Sequence, residues 1–113
     1  MSNDVKAFYE KFKQDSGKMA QELPDMTKAF MGLFQSVMKD GALGLKEKEL
    51  IAMAVGLAVR CEPCIYLHVQ KCVNAGASRQ EILEAASVAV MMQGGPSFTH
   101  VPAVMDALEA LGK

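Results

Sequence analysis

Apolar side chains recur along this chain at helical spacing. Val5, Phe8, Tyr9 and Phe12 fall at i, i+3, i+4 and i+7, one stripe of an amphipathic helix. Pro24 suits the first turn of a second helix, where its missing N–H costs nothing. Met26, Phe30, Leu33, Phe34 and Val37 line that helix, and Gly41 is a natural stop. A third helix is predicted from Lys46 to Arg60. Its opening is charged, but Leu50 to Val59 is apolar on every side, the mark of a helix buried within a bundle or against another subunit. Pro63 disfavours helical geometry at Glu62, which places a break at 60–63 and starts a fourth helix that ends near Ala75, before Gly76. Ser78-Arg79-Gln80-Glu81 is a capping box for a fifth helix carrying Ile82, Ala86, Ala89 and Val90, stopped by Gly94-Gly95-Pro96. A last helix holds Val101, Val104, Met105, Leu108 and Leu111, with Pro102 either starting or kinking it. No run alternates with period two. The pattern predicts an all-α bundle of about six helices.

Composition narrows the setting. A chain of 113 residues without repeat or linker reads as one domain over 1–113. Fifteen alanines, ten leucines and nine methionines favour helix, the methionines as adaptable core filler. Twelve basic against thirteen acidic residues leave a formal charge of −1, no footprint for nucleic acid or anionic lipid. The longest stretch without Lys, Arg, Asp or Glu, Ala85 to Met105, is interrupted by Gln93-Gly94-Gly95-Pro96-Ser97, so it is a poor membrane span. No secretory signal opens the chain, and a close cysteine pair without one points to the reducing cytoplasm rather than to a disulfide framework. Helices apolar all round are hard to cover in so small a domain, which predicts a homo-oligomer.

The chemistry concentrates in Cys61-Glu62-Pro63-Cys64 and His68. With Cys64 in the first turn of the fourth helix, His68 lies one turn along the same face, about 5–6 Å away at Cβ, so imidazole and thiol can meet directly or through a water. Cys61 falls at or just before the helix start, where a disulfide to Cys64 can close if the segment bends. The helix N-terminus favours a thiolate, and a neighbouring imidazole can take the proton. Position, partner and spacing point to a redox-active dithiol.

Metal binding is the rival. Cys61, Cys64, His68 and Cys72 look like four ligands, but eleven helical residues rise about 16 Å, too far for one zinc ion. The remaining three lack an evident fourth, so neither metal nor cofactor is expected. Glu49 precedes Cys61 by twelve residues. If the third and fourth helices pack antiparallel, its carboxylate comes level with His68 and can orient the imidazole; the plainer alternative is a solvated first-turn glutamate. Cys72 reads as a buried inert thiol and His100 as a turn or capping residue, while Tyr66 and Arg60 flank the motif and could shape its pocket.

Glu49, eleven residues, Cys61-x-x-Cys64, three residues and His68 together resemble the signature of the alkylhydroperoxidase AhpD-like family, within the wider carboxymuconolactone decarboxylase group. The resemblance spans residues 25–110, including Leu45-x-Glu47-x-Glu49-x-Ile51-x-Met53 and the Gly94-Gly95-Pro96 turn. It implies an all-α fold assembling as trimers or hexamers, and a peroxidase that reduces (alkyl)hydroperoxides with its cysteine pair. A dithiol donor, lipoyl- or thioredoxin-like, would regenerate the pair. By carry-over Cys64 would attack the peroxide, Cys61 would resolve, and His68 with Glu49 would relay the proton. Two other readings remain: a redox sensor or scaffold whose dithiol switches a partner, and lactone decarboxylation on the same fold.

Overall fold

The computed structural model describes residues 2–113, helices joined by turns and short irregular connections. Its elements are α1 (Ser2–Glu22), α2 (Pro24–Met38), α3 (Leu45–Ala58), α4 (Glu62–Asn74), α5 (Arg79–Gln93), the single turn α6 (Gly95–Phe98) and α7 (Val101–Ala110). The six long helices are those the apolar periodicity predicts. Pro102 starts α7 rather than kinking it.

Local chemistry sets the ends. Ser78 Oγ accepts from the Glu81 N–H, and Glu81 Oε1 accepts from the Ser78 N–H, so the capping box forms. Gly94 closes α5 at φ +82, a conformation open to glycine, and Pro96 lets a new turn begin at once. The C-terminus of α2 is capped from a distance: Lys48 Nζ donates to the carbonyls of Val37 and Lys39 at 2.8 and 2.7 Å.

The core is built by α3, α4, α5 and α7, with α1 laid against α7. Met53, Leu57, Ile65, Val69, Ile82, Val104 and Leu108 are fully enclosed. The expected α1 stripe faces inward, with Val5 buried and Phe8, Tyr9 and Phe12 half-buried. Tyr9 Oη donates to the Tyr66 carbonyl at 2.6 Å, and the Phe8 ring meets Tyr66 edge-on, tying α1 to α4. Burial pushes both tyrosine hydroxyls up to about 12; neighbouring charges, Glu62 foremost, add to the effect on Tyr66.

Two faces depart from the buried picture. No residue of α2 is buried in the single chain, and Met26, Phe30, Leu33 and Val37 are each at least half exposed. On α3, Met53, Gly56 and Leu57 turn inward, but Ile51, Val55 and the C-cap residue Val59 form an outward apolar row along i, i+4, i+8. One chain lacks the surface to cover both sides of α3.

Candidate functional site

The site grows out of the junction between α3 and α4. Helix α3 ends at Ala58, and Arg60 takes the left-handed conformation at φ +57. The Arg60 N–H then donates to the Leu57 carbonyl at 3.1 Å and the Cys61 N–H to the Gly56 carbonyl at 3.0 Å. This pair of bonds is the Schellman arrangement that closes helices, here with arginine where glycine is usual. Cys61, the last residue of that motif, is also the N-cap of α4, and Pro63 occupies the first turn. Two helix ends are compressed into one residue, so α4 folds straight back along α3.

The reversal sets each candidate side chain. Cys61 and Cys64, with Cα atoms 5.2 Å apart, are joined as a disulfide across the first turn of α4. Cys61 Sγ accepts from the Cys64 N–H at 3.3 Å, so a sulfur fills the place an N-cap oxygen normally takes. Four residues on, His68 Nδ1–H donates to Glu49 Oε1 at 2.8 Å. Glu49 is 4% exposed, so the solvated alternative does not describe it. The carboxylate accepts from Nδ1, which directs Nε2 as the free ring nitrogen.

All four predicted residues thus lie on the α3–α4 pair, in two bonded couples: Cys61 with Cys64, and Glu49 with His68. Cys72 stands apart as the free, fully buried thiol. Burial, and then the Glu49 charge, push it up to about 12, so it stays protonated at neutral pH. Among the described residues, no three His, Cys, Asp or Glu side chains gather in a way that could hold a metal ion. His100 Nδ1–H donates to the Pro96 carbonyl at 2.8 Å, the turn role expected of it.

Three residues of the site escaped the sequence reading. Gly56 lies against the dithiol: a Cβ there would stand 3.1 Å from Cys64 Cβ. The signal was available, because glycine inside an apolar helix usually marks close packing. Phe34 reaches over from α2 to stack on the His68 ring, and Lys71 Nζ sits 4.4 Å over the centre of the Phe34 ring. That contact joins distant segments, and no local spacing announces it.

The sequence pattern of the carboxymuconolactone decarboxylase family matches residues 24–111. The chain belongs to this family. It is 36% identical over 83 residues to an uncharacterised protein of the cox locus of Paracoccus denitrificans, covering 74% of this chain and 75% of that one. In structure it is similar to the apo form of a family member from Legionella pneumophila, with TM-score 0.86 and 38% identity over 97% of this chain and 96% of that one. It is also similar to a family member from Thermotoga maritima for which a part in antioxidative response has been suggested. There the TM-score is 0.81 and the identity 32%, over 94% of this chain and 90% of the other. Family and all-helical fold agree with the resemblance drawn from Glu49, Cys61, Cys64 and His68. Among the described residues, no helix is long and apolar enough to cross a membrane.

Proposed function

We propose that this chain is a thiol-dependent hydroperoxide reductase. The observation that carries the reading is a disulfide on the first turn of α4, one helical turn before an imidazole hydrogen-bonded to a buried carboxylate. In the reduced protein, the His68 ring takes the Cys64 proton, and the helix N-terminus favours the thiolate. The thiolate attacks one peroxide oxygen and the O–O bond breaks. Cys64 becomes a sulfenic acid, and the departing alkoxide takes the proton held on His68 and leaves as an alcohol. Cys61 then attacks the sulfenic sulfur, forming the disulfide and releasing water.

A lipoyl- or thioredoxin-like dithiol returns two electrons by exchange at the Cys64 sulfur and is itself oxidised to a disulfide. Cys61 leaves as a thiolate at a sulfur that already accepts the Cys64 N–H. Glu49 holds the imidazole in the tautomer that keeps Nε2 free and supports its protonated form. The antioxidative role suggested for the Thermotoga maritima relative points the same way. The exposed apolar faces of α2 and α3 favour action as a homo-oligomer, for which the family resemblance implies a trimer or hexamer, and the reducing cytoplasm is the setting in which such a dithiol cycles.

The test is repeated turnover. Purified protein with hydrogen peroxide or cumene hydroperoxide and excess dihydrolipoamide should consume many equivalents of both. Cys64→Ser should abolish consumption, and Cys61→Ser should stop at a sulfenic acid trapped by dimedone. A single equivalent oxidised per chain would favour a redox switch instead. Lactone decarboxylation that survives Cys64→Ser would remove the cysteine pair from the chemistry.

A further inference from the structure

We propose that Phe34 is a positioning residue for the His68 imidazole, and that α2 joins the active site through this one side chain. The proposal rests on the reductase reading for its kinetic consequence, but not for its structural one. On α2 only Thr27, Phe34 and Met38 are even half-buried. Of the three, Phe34 carries the ring that faces the candidate relay, with centroids 6.2 Å apart and planes within 11°.

Lys71 Nζ also stands 4.4 Å over the same phenyl ring. His68 and Lys71 are three apart on α4 and therefore neighbours on its surface. Phe34 accordingly meets two side chains of α4, while its own helix has few other ties to the body of the molecule. Phe30 braces the phenyl ring from the preceding turn, with ring centroids 5.1 Å apart.

The consequence follows from what an imidazole must do in a relay. Glu49 holds Nδ1 but leaves the ring free to swing about that single bond. A flat aromatic face lying parallel to the imidazole blocks that swing and keeps water from one side. The ring then offers Nε2 in one direction, which is what transfer at Cys64 needs. Phe34 touches neither sulfur in this account; it acts through His68.

Three variants test this: Phe34→Leu keeps apolar volume without the ring, Phe34→Ala removes both, and Phe34→Tyr keeps the ring. Circular dichroism first establishes that each is folded. NMR of the His68 ring protons reads the contact itself, whatever the protein's reaction. The resonances should move in Phe34→Leu and Phe34→Ala, through loss of the aromatic ring current, and stay near wild type in Phe34→Tyr.

Iodoacetamide alkylation of Cys64 in a Cys61→Ser background reads the relay without peroxide. It should slow about tenfold in Phe34→Leu and recover in Phe34→Tyr. Peroxide turnover should show the same tenfold loss in kcat with KM unchanged. Unmoved His68 resonances, unchanged alkylation, or a loss confined to KM would each overturn the proposal. A wild type that alkylates as expected yet turns over no peroxide would instead sink the reductase reading and leave Phe34 in its role.

Discussion

Gly56→Ala measures how tightly α3 holds the dithiol. Inside a helix the change should help, because alanine is about 1 kcal/mol better than glycine there. The local geometry opposes it. The new Cβ would lie 3.1 Å from Cys64 Cβ, 3.5 Å from the Cys64 carbonyl carbon and 3.6 Å from the Ile65 nitrogen. Carbon pairs rest at about 3.5–4.0 Å, so the first turn of α4 must retreat by roughly half an ångström. Overpacking of that order costs about 1–3 kcal/mol, leaving a net loss near 1 kcal/mol after the helix gain. For a domain of this size that is a fall in Tm of about 4 °C. Gly17→Ala is the control, since Gly17 lies within α1 with nothing within 4 Å of an added Cβ. It should gain about 0.5–1 kcal/mol. Urea denaturation of both variants and wild type at one fixed protein concentration gives the comparison. The displaced group is Cys64 itself, so Gly56→Ala should also lose about tenfold in peroxide turnover. A Gly56→Ala protein as stabilised as Gly17→Ala, and fully active, would show that close contact with α3 does not hold the cysteine.

Two further outcomes are expected. Glu49→Gln keeps an acceptor for His68 Nδ1–H but removes the buried charge, and should lower turnover about 10- to 100-fold with the fold intact, read by steady-state kinetics beside circular dichroism; undiminished turnover would exclude the relay. Cys72, raised from 9.0 to about 12, keeps its proton in the native state after the unfolded chain has lost it. Stability is therefore full below pH 9 and falls as pH rises toward 12, by at most about 1.4 kcal/mol per pH unit for this group. Tyr9 and Tyr66, raised from 10.0 to about 12, steepen the fall above pH 10. Urea midpoints between pH 8 and 11 should decline from about pH 9 in wild type and stay flatter up to pH 10 in Cys72→Ala. Equal slopes in the two proteins would mean that Cys72 is not shielded.

What the sequence revealed of fold and site follows from the range of each interaction. The Ser78 box, the Pro63 start and the Gly94 stop are contacts within four residues, so residue type and spacing decide them. The Glu49–His68 pair is nineteen residues apart, yet it was legible because one short turn forces the two helices antiparallel. Arg60 gave no warning, since glycine is the residue expected at φ +57. The outward row Ile51, Val55 and Val59 was legible only as "apolar all round", because periodicity cannot tell which side of a helix its own chain leaves bare. The Phe34–His68 stack is a tertiary contact between helices with no short connection, and spacing along the chain is silent about it.

These differences divide the molecule into a rigid and an open part. The α3–α4 pair is fixed by adjacent bonds at one turn, and the buried Glu49, Met53, Leu57, Ile65 and Val69 leave it little freedom. Chemistry that needs a carboxylate, an imidazole and two sulfurs held in register belongs on such a scaffold. Helix α2 is the opposite: it exposes Met26, Phe30, Leu33 and Val37, and its C-terminal carbonyls hang on Lys48 Nζ. Yet it carries Phe34 to the imidazole and walls a groove of about 200 Å³ with Leu33, Phe34, Val37 and Met38. A partner laid on the apolar face of α2 would therefore also bear on the stacking of Phe34 with His68. If His68 serves as a relay, covering that face and ordering the imidazole would both act through the same fifteen-residue helix.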